Sequence, residues 1–502
     1  MRSLTAKIVL IAGLCFCFML GLFFIKGIVS ERQRYAQQAI DEIARDNVYP
    51  QTVMSPFIVV PVRYALCTSS RAKDASAKDS SAQDNPAQNK SAQDCSVTHY
   101  HTIYSASSQW NNQINVAQNY RKGIYRATNY DNQITIQGRF SPDPALLKAV
   151  AGQTVLWDQA RIYLALTDLR GLNQAPVMSL GDKNYRFNLE TQQNLGAGFP
   201  LAYSSLAIGE RAKNDLDFKL SFNLAGLQSF RMIPLGKSIH SSLSSNWIHP
   251  NFSGGISPQS RTITSKRTKA EWNNSYAPTI NSGLLSSCLH GGTIADCEKL
   301  QAGISRRGYT ENYSSENYSG AETETTRSEL ALTLAQSFNL QFFQPTNVYS
   351  LTDRTLKYAL LFIFIIFGTF FLFEILKNLQ VHPIQYALVG AAQGVFYLLL
   401  LSFSEQFSFG LAYLGSSAAC VLLISWYVSY VLQGIQRALS LTVIMSAIYG
   451  TLYILLRSQQ HTLMLGSVLI FVLIAVVMIL TRHINWYQVS TRKTQPETTL
   501  RN

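Results

Sequence analysis

Ile8–Val29 reads IVLIAGLCFCFMLGLFFIKGIV, and Tyr358–Leu376 reads YALLFIFIIFGTFFLFEIL. Four further apolar runs follow the second one before Leu480, whereas Ser30–Lys357 is mostly polar. A bilayer core about 30 Å thick is crossed by ~20 apolar residues in helical form, and each run meets or nearly meets that length. The distribution predicts a membrane protein with six transmembrane α-helices, one N-terminal and five C-terminal. A large soluble body lies between them. The boundaries fall at 1–29 for the anchor, 30–357 for the body, 358–481 for the bundle and 482–502 for a tail.

Orientation follows from charge. The chain of 502 residues carries 42 Lys and Arg against 29 Asp and Glu, a net +13. Part of that excess sits in the tail, where Arg482, Arg492, Lys493 and Arg501 face Glu497. Such a cluster after a last span marks a cytoplasmic end. Counting back, Arg437 and Lys377 fall in cytoplasmic loops and Glu405 in an opposite one, although Arg457 also lies opposite. The expectation is a multi-pass protein of a bacterial inner membrane, with both termini cytoplasmic and the body periplasmic. Arg2 and Lys7 precede the first run as in a signal peptide, but the run is long and no small-x-small site follows, so it reads as an uncleaved anchor. No basic run interleaved with aromatics occurs, which argues against nucleic acid as a partner.

Cysteine usage agrees with an oxidising compartment. Cys15, Cys17 and Cys420 lie in apolar runs as small fillers. The body holds an even set, Cys67, Cys95, Cys288 and Cys297, which suggests two disulfides. Three pairings are open. Cys67–Cys95 and Cys288–Cys297 are favoured because each brackets a loop-like stretch, and four free buried thiols are the alternative.

Within the body, Ser30–Asn47 keeps a helical stripe through Ala36, Ile40 and Ile43 and ends ahead of Pro50. Phe57–Leu66 reads as a buried strand. Between Cys67 and Cys95 a five-residue repeat (Ala72-Lys73-Asp74, Ala77-Lys78-Asp79, Ala82-Gln83-Asp84) buries too little apolar surface to offset its ordering entropy, so 68–94 is expected to be a disordered insertion. Short alternating stretches then recur at Gln133–Gly138, Ala160–Leu166, Tyr185–Leu189 and Asp217–Leu224, with turn signals such as Gly181-Asp182 between them. They predict an antiparallel, all-β, sandwich-like domain. Ser305–Ser328 reads as a second flexible loop, and Leu330–Phe343 resumes strand alternation.

Reactive constellations are scarce. No phosphate-binding glycine loop, zinc-protease helix or nucleophile elbow occurs. His99 and His101 share one face of a strand, but a zinc site needs three or four ligands. Trp247 in Asn246-Trp247-Ile248-His249-Pro250 reads as a core anchor. In the bundle, Glu374 is one turn from Lys377 and reads as an interfacial anchor. Gln393 is polar near a span centre, and an interhelical hydrogen bond is expected to satisfy it. Ala387, Gly390, Ala391 and Gly394 form a small-residue face suited to close helix packing. No catalytic residue, cofactor or metal is expected.

Several motifs carry a family resemblance. They are Leu351-Thr352-Asp353-Arg354-Thr355-Leu356-Lys357-Tyr358, Phe373-Glu374, His382-Pro383-Ile384-Gln385-Tyr386, Ser404-Glu405 and Ile484-Asn485-Trp486-Tyr487. With Ser30-Glu31-Arg32, Ser55-Pro56-Phe57 and Ser245-Asn246-Trp247-Ile248-His249-Pro250, they resemble the CreD family of bacterial inner-membrane proteins over nearly the whole chain. Gln406 and Asn485 depart from that pattern, where histidine and aspartate are expected. The 68–94 insertion is an addition to it. The resemblance implies a role in cell-envelope integrity within a regulon under a two-component sensor, with links to colicin tolerance and to cell-wall-active antibiotics. It implies no enzymatic activity. The expected function is therefore a non-enzymatic inner-membrane protein acting through its periplasmic domain, with the bilayer and an unidentified envelope protein or ligand as partners. A transporter or lipid-handling protein is the alternative, and a membrane-bound hydrolase comes third.

Overall fold

The computed structural model describes residues 4–65, 96–148, 150–189, 201–289, 297, 336–342, 348–376, 382–431, 435–457 and 462–482. The insertion at 68–94 with Cys67 and Cys95, the loop at 305–328 and the tail beyond Arg482 lie outside them. The chain divides into two compact units, Met1–Ala39 with Gln344–Asn502, and Ile40–Phe343.

The Ile40–Phe343 unit is a sandwich of two sheets. With strands numbered in chain order, the first sheet runs β14 (Pro250–Ser253), β17 (Phe338–Phe342), β12 (Ser229–Ile233), β1 (Gln51–Met54), β7 (Arg161–Leu166), β2 (Phe57–Ala65) and β3 (Ser96–Ile103). Strand β10 (Ala202–Ala207) also pairs with β7, and β6 (Gln153–Val155) with β2. The second sheet runs β15 (Ser260–Ile263), β16 (Thr268–Asn274), β13 (Ser238–Ser245), β4 (Ser105–Lys122), β5 (Tyr125–Phe140), β11 (Leu216–Leu227), β8 (Val177–Leu180) and β9 (Lys183–Arg186). Pairing is mainly antiparallel. Two contacts depart from that expectation, because β1 runs parallel to β12 and β4 parallel to β13.

Side-chain alternation explains why these segments become strands. In β4 the residues Trp110, Ile114 and Val116 point inward, as do Tyr130, Ile134 and Ile136 in β5 and Phe218, Leu220, Phe222 and Leu224 in β11. They meet Val53, Ile58, Val60, Ile162, Leu164, Phe230, Met232, Phe338 and Leu340 from the first sheet. A one-residue slip would expose each such set, so burial sets the register. Gly123, with φ +59°, supplies the left-handed position of the tight turn joining β4 to β5.

Helices interrupt the all-β pattern. One turn, α2 (Pro144–Leu147), is capped by the Asp143 carboxylate. The longer α3 (Tyr276–Leu289) covers the outer face of the first sheet, where Leu285 and Leu289 pack with Met54, Phe57, Val59, Tyr163 and Ile233. Its buried Asn281 donates to the Pro234 and Gln336 carbonyls at 2.9 and 2.8 Å and accepts from the Gln336 amide at 2.8 Å.

Helix α1 (Leu4–Asp46) is continuous across the boundary of the two units, about 65 Å at the usual rise per residue. Its last turns belong to the sandwich. Ile43 and Ala44 are buried against Ala127 and Leu227, and Lys122 reaches Glu42 at 2.5 Å. The open C-terminal carbonyls are met by Arg170, which donates to Arg45 O at 2.7 Å and Ala44 O at 3.5 Å. The same guanidinium holds Asp168 at 2.7 Å and lies 5.4 Å over the Tyr49 ring. Asp168 in turn exchanges hydrogen bonds with Gln51 at the start of β1.

The other unit holds the first part of α1 and five helices: α4 (Val348–Leu376), α5 (Pro383–Ser404), α6 (Phe409–Val431), α7 (Ile435–Arg457) and α8 (Thr462–Thr481). Among the described residues, five apolar helical stretches are long enough to cross a bilayer: Ile11–Asp46, Leu351–Leu372, Pro383–Ser404, Phe409–Tyr430 and Leu439–Arg457. The apolar part of α8, Met464–Ile479, is shorter than those five. Phe23, Leu422 and Phe471 point outward, as suits lipid, while Phe367, Phe396, Leu400, Met445 and Leu452 are buried. The Arg32 guanidinium lies 3.8 Å from Glu405, which follows α5 directly.

Burial alone would raise the Asp168 carboxyl pKa, but hydrogen bonds from Arg170 and the Tyr49 amide outweigh it and hold it below the ordinary range. A carboxylate with a lowered folded-state pKa adds stability that is complete above the unfolded value, about 4, and is lost as pH falls through the folded one. Replacing Asp168→Asn therefore removes part of the acid limb of the unfolding profile. Arg170→Ala lowers stability at neutral pH by about 1–2 kcal/mol. Tryptophan-fluorescence melts between pH 3 and 7 check both.

Candidate functional site

The bundle places its polar groups along one face of α5. At the first turn, His382 and Pro383 start the helix. The His382 ring accepts from the Ile384 amide, and Gln385 Oε1 accepts from the His382 amide at 3.0 Å. One turn on, the Tyr386 hydroxyl donates to Glu374 Oε2 at 3.0 Å. Glu374 is thus turned into the bundle, 5 % exposed, and is a buried helix-to-helix contact in place of the interfacial anchor expected from its spacing to Lys377. Lys377 lies outside the described residues.

Further along the same face comes Gln393, 2 % exposed. Among the described residues, neither its Oε1 nor its Nε2 has a hydrogen-bond partner. The expected interhelical hydrogen bond is not made among the described residues. Phe396, one turn on, stacks edge-on with Tyr413 and Tyr449 at 5.7 and 4.9 Å. The hydroxyls of those two tyrosines are engaged elsewhere. Tyr413 donates to the Tyr449 carbonyl at 2.7 Å, and the Tyr449 hydroxyl lies 3.3 Å from Cys420 Sγ.

The small-residue face is used unevenly. At Gly390 the Phe18 ring of α1 lies so close that a β-carbon would collide with it. At Gly394 a β-carbon would meet nothing within 4 Å, Ala387 is half-buried and Ala391 is exposed. Close packing is therefore made at Gly390, where Phe18 also meets Phe367 edge-on at 5.9 Å.

In the sandwich unit, the His99 and His101 pair leans on Tyr64, whose hydroxyl is 2.8 Å from His101 Nε2. Among the described residues no group of three His, Cys, Asp or Glu is placed to hold a metal ion. Trp247 packs against the sandwich core and donates from its ring nitrogen to the His249 carbonyl at 3.0 Å. Cys288 and Cys297 are joined by a disulfide at the end of α3.

The sequence matches the family described as Inner membrane protein CreD over residues 3–487. The chain belongs to the CreD family. It is 25 % identical over 489 residues to Inner membrane protein CreD of Escherichia coli strain K12, covering 97 % of this chain and 94 % of that one. Solved structures offer only slight likeness. A candidate nutrient-binding protein of Legionella pneumophila is 8 % identical with a TM-score of 0.20, covering 34 % of this chain and 63 % of that one. An M1 zinc metallopeptidase of Deinococcus radiodurans is 8 % identical with a TM-score of 0.17, covering 34 % and 38 %. Neither carries an argument about fold or function.

Set on the structure, several of the motif residues quoted above are joints. His382 and Gln385 cap α5, Glu374 is held by Tyr386, and Arg32 faces Glu405. Ser55 Oγ accepts from the Leu235 amide at 3.0 Å. Asn246 Oδ1 accepts from the Val116 amide at 2.7 Å and its Nδ2 donates to the Val116 carbonyl at 3.1 Å, fixing the end of β13 beside β4. Ile484–Tyr487 lies outside the described residues. Two glycines one turn apart then give a direct contrast. Gly390→Leu separates α1 from α5 and lowers the melting temperature of the purified protein, by an overpacking cost of about 1–3 kcal/mol, whereas Gly394→Leu leaves it nearly unchanged.

Proposed function

We propose that this CreD protein is a non-enzymatic contributor to cell-envelope integrity and to the response to envelope stress and antibiotics. Its sandwich unit works in the periplasm, and both termini are cytoplasmic. The observation that carries this reading is the size and construction of that unit: a two-sheet domain inserted between the first span and the rest of a multi-pass inner-membrane bundle. The Cys288–Cys297 disulfide supports the periplasmic side, since disulfides persist in oxidising compartments. The resemblance in the sequence supports the link to envelope stress. The partner of the sandwich is an envelope protein or ligand, and the bilayer is the partner of the bundle.

Labelling, reporter fusions, gene deletion and crosslinking test this reading. In intact cells, Cys288 and Cys297 resist maleimide until a reductant is added, and reporter fusions within Ser30–Lys357 are active only in periplasmic form. Immediate labelling or cytoplasmic reporter activity overturns the orientation. Deletion of the gene changes survival under cell-wall-active antibiotics, and unchanged survival counts against the envelope role. In-cell crosslinking of the sandwich identifies the partner.

A second reading, lipid handling, is favoured by one observation in the bundle, the unpartnered amide of Gln393.

A further inference from the structure

Gln393 lies ten residues into α5, about 15 Å along its axis and so near mid-span. A primary amide there carries a donor and an acceptor with no water to satisfy them, and leaving both unmade costs free energy that an apolar residue of similar size would not. Leucine or methionine would fill the place without that cost. The amide is therefore explained by something that hydrogen-bonds to it in another state of the bundle.

The surroundings define what that could be. No Asp, Glu, Lys, Arg or His occurs within α5, α6 or α8, and those of α7, Arg437 and Arg457, stand near its ends. Glu374 of α4, the buried carboxylate that meets α5, is already engaged by Tyr386 two turns before Gln393, and a charge brought in beside Gln393 itself is costly at this depth. The amide offers Nε2 as a donor and Oε1 as an acceptor, so the matching group both accepts and donates. A hydroxyl does this, and an ester does not, because it cannot donate to Oε1.

A lateral approach is also present. Next to Gln393, Gly394 has open space where a β-carbon would stand, and Ala391 is exposed one turn before it. Flanking them, Leu388 and Val395 are exposed, as lipid-facing residues are. A strip of bare helix thus leads from the lipid-facing surface of α5 to the residue beside the amide. On the far side, the buried Phe396, Tyr413 and Tyr449 close the interior.

We infer that Gln393 anchors an intramembrane binding site for a neutral lipid with a free hydroxyl group, of the diacylglycerol class, which approaches along the Ala391–Gly394 strip. The inference concerns the bundle and stands whether or not the sandwich acts in envelope stress.

The test uses the full chain in nanodiscs of phosphatidylethanolamine and phosphatidylglycerol. Dioctanoylglycerol raises the melting temperature of the wild type by about 3 °C or more at saturation. The same lipid with its hydroxyl acetylated does not, which separates hydrogen bonding from general apolar partitioning. Gln393→Leu and Gln393→Met abolish the shift while keeping or raising the basal melting temperature. Gly394→Leu, which fills the strip and leaves the amide in place, abolishes it too. Having two variants at 393 and one at 394 covers the case in which one fails to fold. Equal shifts with the free and acetylated lipids overturn the proposal, as does a shift that survives at Gln393→Leu. So does no shift in the wild type, in which case the amide binds water at most.

Discussion

A helix that ends against a folded domain has to find partners for its last carbonyl groups, and in this protein the Arg170 guanidinium supplies them. That one planar group serves three purposes at once. It caps α1, it neutralises Asp168, and it covers the Tyr49 ring. Because Asp168 also exchanges hydrogen bonds with Gln51, the end of the helix and the start of β1 share a single polar joint. A lysine would carry the charge but not the fork that serves two carbonyls and a carboxylate together.

The two units are held by different physics. Between the sheets, aromatic and branched side chains exclude water, and the sandwich closes around Trp110, Trp272, Tyr130 and Phe230. In the bundle, lipid is as apolar as the side chains, so exclusion of water does not discriminate one packing from another. Fit and a few polar contacts do. Phe18 against Gly390 is the fit, and Tyr386 to Glu374 is the contact. Gln393 follows neither rule, which sets it apart from the other residues of the bundle described above.

Much of the fold was legible because its signals are local. Apolar runs of bilayer length marked the spans, a β-branched and aromatic run marked β2, and alternation marked β5, β7 and β11. The parallel contacts of β1 with β12 and of β4 with β13 were not legible, since partners so far apart in sequence leave no trace in either strand. Helix α3 was missed because its Pro278, Asn281 and Gly283 dilute the helical pattern, and tertiary contacts through Asn281 stabilise it. The polarity and depth of Gln393 could be read from sequence. Its missing partner could not, because that depends on how the neighbouring helices pack against α5. The clamp at Arg170 was equally hidden, as its signal is a short Asp-x-Arg in a loop remote from the helix it closes.

The position of β17 in the strand order has a consequence for how the protein is made. It lies between β12 and β14, although it is the last described strand of the sandwich, at Phe338–Phe342. Strand β1 waits for β12 through most of the domain, and β14 waits for β17. Such long-range pairing folds slowly, since each loop has to close before its contacts reward it. Until β17 is synthesised, β12 lacks one of its neighbours and β14 lacks the strand that joins it to the sheet. The residues that follow are those of α4, so completion of the sandwich and insertion of the bundle fall in the same interval of synthesis. Sheet edges left open during that interval are the natural clients of a chaperone.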